Sequence, residues 1–73
     1  MTNDKIKAAR VALGGFIKER REEMGLTKEI LGAHVGVTAN TIKGIESGRF
    51  SMNIDLQFKI FKALSIKTRY ENL

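Results

Sequence analysis

The sequence has no cysteine, no proline and a single histidine. Without cysteine the chain can form neither a disulfide nor a thiolate metal site. His34 has no Asp, Glu or Cys at a ligand spacing on its predicted helix, so we expect no bound metal and no cofactor.

Long hydrophobic runs are also missing. No apolar stretch approaches the roughly 20 residues that a helix needs to cross a bilayer. The start of the chain, MTNDKIKAAR, has no apolar core of signal-peptide length. These absences predict a soluble, cytoplasmic protein without a membrane partner.

Catalytic groups are scarce as well. The charged run KERREEM contains Glu22 and Glu23, but adjacent carboxylates on a helix point in different directions and do not form an acid–base pair. A solvated helix face explains this run better. No serine or threonine has a base partner in the sequence, and no glycine-rich phosphate loop is present. We therefore expect that the protein is not an enzyme.

The charge that is present is mostly positive. Thirteen Lys and Arg against eight Asp and Glu give a formal charge of +5 and a pI near 9.9. This excess favours a polyanionic partner, with nucleic acid first and an anionic membrane surface second, although a merely solvated surface is the alternative. Residues 27–54 are almost neutral. The excess lies toward the two ends, at Lys5, Lys7, Arg10, Lys59, Lys62, Lys67 and Arg69.

Apolar residues recur at intervals of three and four, which predicts amphipathic helices and an all-α fold. The predicted core stripes are Leu13, Phe16 and Ile17; Leu31 and Val35; Ile42 and Ile45; and Ile54, Phe58, Phe61 and Leu64. Gly14 and Gly15 interrupt the first pattern, so the beginning of the chain forms either one bent helix or two short ones.

Capping residues mark where the helices begin and end. The candidate N-caps are Thr27, Thr38 and Asn53, and the glycines that follow helix ends are Gly25, Gly36 and Gly48. The predicted helices after KERREEM span 28–35, 39–47 and 54–64, with a short final turn from Thr68.

The helices predicted at 28–35 and 39–47 are joined by only three residues, GVT. Gly36 can adopt the positive φ that the turn needs, and Val37 is expected to fill the junction between the helices. Gly32 lies on the inner face of the earlier helix, where a side chain would keep the later one away. This arrangement predicts a helix-turn-helix.

The stretch GLTKEILGAHVGVTANTIKGIESGRFSMNIDLQFKIFKAL resembles the Xre/Cro phage-repressor family of DNA-binding domains, and the resemblance covers about residues 13–66. It implies a compact bundle of four or five helices in which 39–47 is the recognition helix in the DNA major groove. It also implies an ion pair between Arg21 and Glu46. The implied organisation is an N-terminal extension at 1–12, expected to be helical, and a DNA-binding domain at 13–73 with its motif at 28–47.

A recognition helix presents its first turn and one outer edge to DNA. The expected base-contacting residues are Ala39, Asn40, Lys43 and Gly44. The expected phosphate-contacting residues are Thr27, Lys28, Thr38, Thr41, Arg49 and Ser51. Asn40 is the best candidate because an amide can bond two groups on an adenine edge. In the loop after this helix, Phe50 and Met52 are expected to pack against the fourth helix.

The resemblance implies a sequence-specific transcriptional regulator that represses from a palindromic operator. Off-stripe apolar residues favour a homodimer through Leu56, Ile60, Tyr70 and Leu73, with scattered surface hydrophobics as the alternative. A second interpretation is an antitoxin-type module in which the helix at 3–13 helps to bind a toxin protein. A third is that the domain belongs to a larger regulator.

Overall fold

The computed structural model describes residues 3–66, and within this range the chain forms four helices and no strand. The helices are α1 (Asn3–Glu23), α2 (Lys28–Val35), α3 (Ala39–Glu46) and α4 (Ile54–Ala63). The predicted all-α class is confirmed. The short turn predicted from Thr68 lies outside the described residues.

Helix α1 continues through both of its interior glycines, so the beginning of the chain is one helix. It also crosses the expected boundary after residue 12 without a break. A Cβ on Gly14 would collide with the backbone oxygen of Ile45 and lie 2.6 Å from that of Glu46, whereas one on Gly15 would meet nothing within 4 Å. Gly14 therefore allows α1 to approach the end of α3 closely.

The predicted N-caps and glycine turns are confirmed. Each capping oxygen accepts a hydrogen bond from the backbone N–H three residues later: Thr27 from Ile30 at 3.0 Å, Thr38 from Thr41 at 3.2 Å, and Asn53 from Leu56 at 2.7 Å. The glycines with positive φ are Gly25 at 70°, Gly36 at 81° and Gly48 at 81°. These local signals fix where each helix starts and stops.

Helix α3 packs against α1 and α2, and α4 packs against α2. The buried apolar core consists of Ile17, Leu31, Val35, Ile42, Ile45, Ile60, Phe61 and Leu64. Val37 packs against this core as predicted, and a Cβ on Gly32 would lie 2.5 Å from the Val37 backbone oxygen. The helix-turn-helix is therefore held by close backbone contact across its turn.

The predicted core stripe on α4 is partly wrong. Ile54 and Phe58 are 55% and 39% exposed, whereas Ile60 is completely buried. Apolar residues cover a wide arc of α4, so their spacing alone did not determine which part of the arc faces α2. Phe16 on α1 was likewise predicted to be buried and is exposed.

The side of α4 that is buried differs from the predicted one, and this difference also changes the expected dimer surface. Ile60 lies in the core and cannot contribute to it, so that assignment is wrong. Leu56 is partly buried and packs against the same core. Tyr70 and Leu73 lie outside the described residues.

Residues 3–66 contain neither a candidate membrane-spanning helix nor a candidate metal site. No helix there is both long enough and apolar enough to span a membrane. No group of three or more His, Cys, Asp or Glu side chains in that range is arranged to hold a metal ion.

Candidate nucleic-acid interface

Helix α3 has one buried side and one exposed edge. Ile42 and Ile45 are buried in the core, whereas Asn40 and Lys43 are exposed on the opposite side. Ala39, in the first turn, is half-buried. The exposed edge therefore presents an amide and an ammonium group to the exterior, and the buried side fixes the orientation of the helix.

A buried ion pair joins α1 to the end of α3. Arg21 Nε lies 2.6 Å from Glu46 Oε2, and Arg21 Nη2 donates to Glu46 Oε1 at 3.1 Å. The side chains are 6% and 3% exposed. Arg21 Nη1 also donates to the Leu26 carbonyl at 2.7 Å. This two-pronged geometry orients α3 relative to α1 and to the turn before α2. The family resemblance had implied an ion pair between these two residues.

The same contact keeps the guanidinium charged. Hydrogen bonding to the Glu46 carboxylate raises the pKa of Arg21, and this effect outweighs the opposing effect of burial. The negative charge of Glu46 is thus balanced by the buried Arg21 guanidinium and is not needed to balance the lysines on the nearby surface.

Lysines from three helices line an open groove beside this pair. Lys18 of α1, Lys28 of α2 and Lys43 of α3 line it, together with Glu46 and Ser47, around a volume of about 230 Å³. Three lysines stand against one glutamate, which already pairs with Arg21, so the net charge of the lining residues is positive. Such a groove suits a phosphate oxygen. The structure thus brings two expected contact residues, Lys28 and Lys43, to one place.

Lys18 is a candidate contact residue that the sequence analysis missed. It lies three residues before Arg21, and residues at this spacing share one face of a helix. Once Arg21 was assigned to the contact with α3, this spacing could have indicated that Lys18 approaches the same surface.

The loop after α3 is held against that helix by its backbone. The N–H groups of Arg49 and Phe50 donate to the Gly44 carbonyl at 2.9 and 3.1 Å. Arg10 Nε of α1 donates to the Gly48 carbonyl at 3.1 Å, which fixes the loop from the other side. Arg49 and Ser51 are both exposed on this loop, where contacts with phosphate were expected.

Gly44 does not occupy the exposed position that the sequence predicted. It is buried, and a Cβ built on it would collide with the Phe50 ring, whose Cγ would be 2.8 Å away. The expectation that Gly44 lies on the accessible edge of α3 is therefore wrong, because an aromatic side chain from the following loop covers it. The contact between Phe50 and α3 was not predicted.

Comparison with known proteins agrees with this architecture. Residues 12–52 match the helix-turn-helix domain family. The chain belongs to the Xre-like helix-turn-helix family. The matched residues include the second half of α1, all of α2 and α3, and the loop that covers Gly44.

Several relatives share this helix-turn-helix region. The chain is 48% identical over 49 residues to an uncharacterized HTH-type transcriptional regulator of Methanothermobacter thermautotrophicus, covering 67% of this chain and 71% of the relative. It is 43% identical over 51 residues to the uncharacterized HTH-type transcriptional regulator YgzD of Bacillus subtilis, covering 70% and 77%. Multiprotein-bridging factor 1 of Candida albicans is 34% identical over 68 residues, or 93% of this chain and 45% of that protein.

In this helix-turn-helix domain the starts of α2 and α3 carry the remaining expected contact residues. Thr27 and Thr38 are exposed N-caps, and Lys28 and Thr41 are half-buried. The hydroxyls of Thr38 and Thr41 lie 3.1 Å apart in a hydrogen bond. Both threonines therefore hold the first turn of α3 together, and the backbone N–H groups at a helix start attract anions.

Proposed function

We propose that this protein is a sequence-specific DNA-binding transcriptional regulator, acting as a repressor, whose helix α3 enters the major groove. The observation that carries the proposal is the two-sided character of α3. Its inner side is fixed by the core and by the Arg21–Glu46 pair, and its outer edge presents Asn40 and Lys43. Similarity to proteins named as HTH-type transcriptional regulators supports the same function.

The base contacts follow from the chemistry of the exposed edge. The Asn40 amide has a donor and an acceptor, which match N7 and the N6 amino group of adenine. Lys43 reaches an acceptor on guanine or a neighbouring phosphate. Ala39 is half-buried and contributes at most an apolar contact. Since few side chains reach the bases, sequence-dependent DNA shape is expected to supply part of the specificity.

Phosphate contacts surround this edge. Lys18 and Lys28 face the groove beside α3, and Arg49 lies on the loop beyond it. The N-caps Thr27 and Thr38, together with Thr41 and Ser51, are proposed to contribute hydrogen bonds. Each neutralised phosphate releases counterions, so the affinity should fall steeply as salt is added.

We further propose that two copies bind a palindromic operator. Helix-turn-helix dimers place their recognition helices about 34 Å apart, one turn of the duplex, and the symmetry of the site then mirrors that of the protein. Sedimentation of the protein with a duplex that carries both half-sites measures the stoichiometry. Two chains per duplex support this part of the proposal, and one chain per duplex at saturation contradicts it.

Selection from random duplexes tests the main proposal. The protein is expected to enrich one short sequence, and Asn40→Ala is expected to lose preference at one position of that sequence. Lys59→Ala, which removes an exposed lysine from α4, is the control and should enrich the same sequence as the natural chain. Failure to enrich any sequence, with no binding in dilute buffer, contradicts the proposal.

One observation favours a second candidate function, an antitoxin-type module that also binds a toxin protein. Every residue from 3 to 9, at the start of α1, is exposed, including Ile6. Co-expression with the product of the neighbouring gene distinguishes the two functions. A stable one-to-one complex that Ile6→Asp disrupts supports the antitoxin function, and separate elution of the two proteins argues against it.

A further inference from the structure

Phe50 packs on α3 and yet stays exposed to solvent. Its ring covers Gly44 on α3, and its backbone N–H donates to the Gly44 carbonyl at 3.1 Å. The guanidinium carbon of Arg49 lies 5.2 Å from the ring centroid. The residue nevertheless remains 39% exposed, so these contacts hold Phe50 without burying it.

The position of Gly44 places this ring beside the outer edge of α3. Asn40 and Gly44 are four residues apart, and residues at this spacing lie on the same side of a helix, one turn from each other. A ring that lies over Gly44 is therefore on the same side of α3 as Asn40, one turn farther along the helix. Gly44 itself offers no side chain, so Phe50 supplies the surface at this point of the helix.

We propose that Phe50 is a specificity-determining residue that recognises a thymine methyl group, in the base pair next to the one that Asn40 contacts. This inference rests on the proposed function, because it requires α3 to lie in the major groove. The contact would come from the loop after the recognition helix, and it would add an apolar group to the surface that contacts the bases.

The chemistry of the ring matches the methyl group. Thymine is distinguished in the major groove by its 5-methyl group, and apolar side chains such as phenylalanine contact it. Because Arg49 and Gly44 hold the Phe50 ring in place, little conformational entropy is lost when its exposed part meets DNA.

A thymine-to-uracil scan of the selected duplex tests the proposal, since uracil lacks only the methyl group. Binding of the natural protein is expected to weaken by about fourfold at one thymine, the affinity change that corresponds to one buried methyl group. Phe50→Ala should bind thymine and uracil equally at that position, while the effects of uracil elsewhere stay unchanged.

Two further variants make the test specific. Phe58→Ala replaces an α4 phenylalanine that has the same 39% exposure as Phe50, and this variant should keep the full fourfold effect. Phe50→Leu retains an apolar side chain over Gly44, and it replaces Phe50→Ala in the test if Phe50→Ala does not melt cooperatively. Phe50→Leu should lose at least half of the fourfold difference between thymine and uracil. The inference is overturned if no thymine is sensitive to uracil, or if a folded Phe50 variant keeps the full effect. A protein that binds no duplex contradicts the proposed function itself.

Discussion

Replacement of Glu46 by glutamine tests how α3 is held. The substitution preserves the size of the side chain and one acceptor oxygen but removes the charge that faces Arg21. The Arg21 guanidinium is then left almost fully buried without a counterion, since its side chain is 6% exposed. An arginine guanidinium stays protonated in proteins with or without a carboxylate partner, so Arg21 keeps its charge in the variant. In the natural chain Glu46 raises the pKa of Arg21, so the stabilising effect of the pair is present at neutral pH and is lost only as the pH rises through that raised pKa. Neutral buffers therefore do not relieve the cost in the variant.

The magnitude follows from the burial of the pair. Removal of one partner of a buried ion pair costs about 3–5 kcal/mol, and the oxygen that glutamine retains places this variant near the lower end. A loss of about 3 kcal/mol corresponds to a fall in Tm of about 12–24 °C for a domain of this size. A 73-residue chain has a total stability of about 4–11 kcal/mol, so the variant is expected to lose a quarter or more of it.

Thermal and urea denaturation, followed by circular dichroism, measure this effect. Glu23→Gln is the matched control, because Glu23 pairs with Arg20 at 3.9 Å on the surface, with side chains 60% and 36% exposed. An exposed pair contributes about 0–1 kcal/mol, so the control should unfold close to the natural chain. Equal unfolding of the two variants would refute the conclusion that burial makes the Arg21–Glu46 pair important.

The other predictions concern packing and binding. Gly14→Ala should lower the free energy of unfolding by about 1–3 kcal/mol or more, because its methyl group meets the backbone of α3. Gly15→Ala, next to it, should raise that free energy by about 0.5–1 kcal/mol, and a similar loss in both would contradict the packing argument. Asn40→Ala should cost about 1–3 kcal/mol on the specific duplex and little on random duplexes, as measured by anisotropy titration. Lys18→Ala should weaken binding to all duplexes alike and reduce the slope of log affinity against log salt concentration by about one. Lys59→Ala is the control and should change neither quantity. A base-selective effect of Lys18→Ala would count against a phosphate contact.

The sequence predicted well the features that depend on neighbouring residues. The start of α3 follows from Thr38, whose hydroxyl accepts a hydrogen bond from the Thr41 N–H. The end of α2 follows from Gly36, which adopts a φ of 81°. In both places one side chain, or the lack of one, determines the backbone within a single turn, so the local sequence is sufficient.

Features that depend on distant contacts were predicted less well. Ile54 and Ile60 are both apolar, and only the position of α2 determines that Ile60 is buried and Ile54 is not. The loop that places Phe50 over Gly44 is fixed by Arg10, 38 residues before its partner Gly48. The composition of the loop does not reveal that Phe50 covers Gly44, and without this contact the sequence predicts Gly44 on the accessible edge of α3.

Nuclear magnetic resonance of the uniformly labelled protein during titration with the selected duplex tests most directly whether the exposed edge of α3 is the DNA-binding surface. The largest amide shifts are expected at the starts of α2 and α3, around Thr27 and Thr38, and in the loop at Arg49. The amides around Phe58 on α4 should change little. Shifts concentrated on α4, with those of α3 unchanged, would contradict the account.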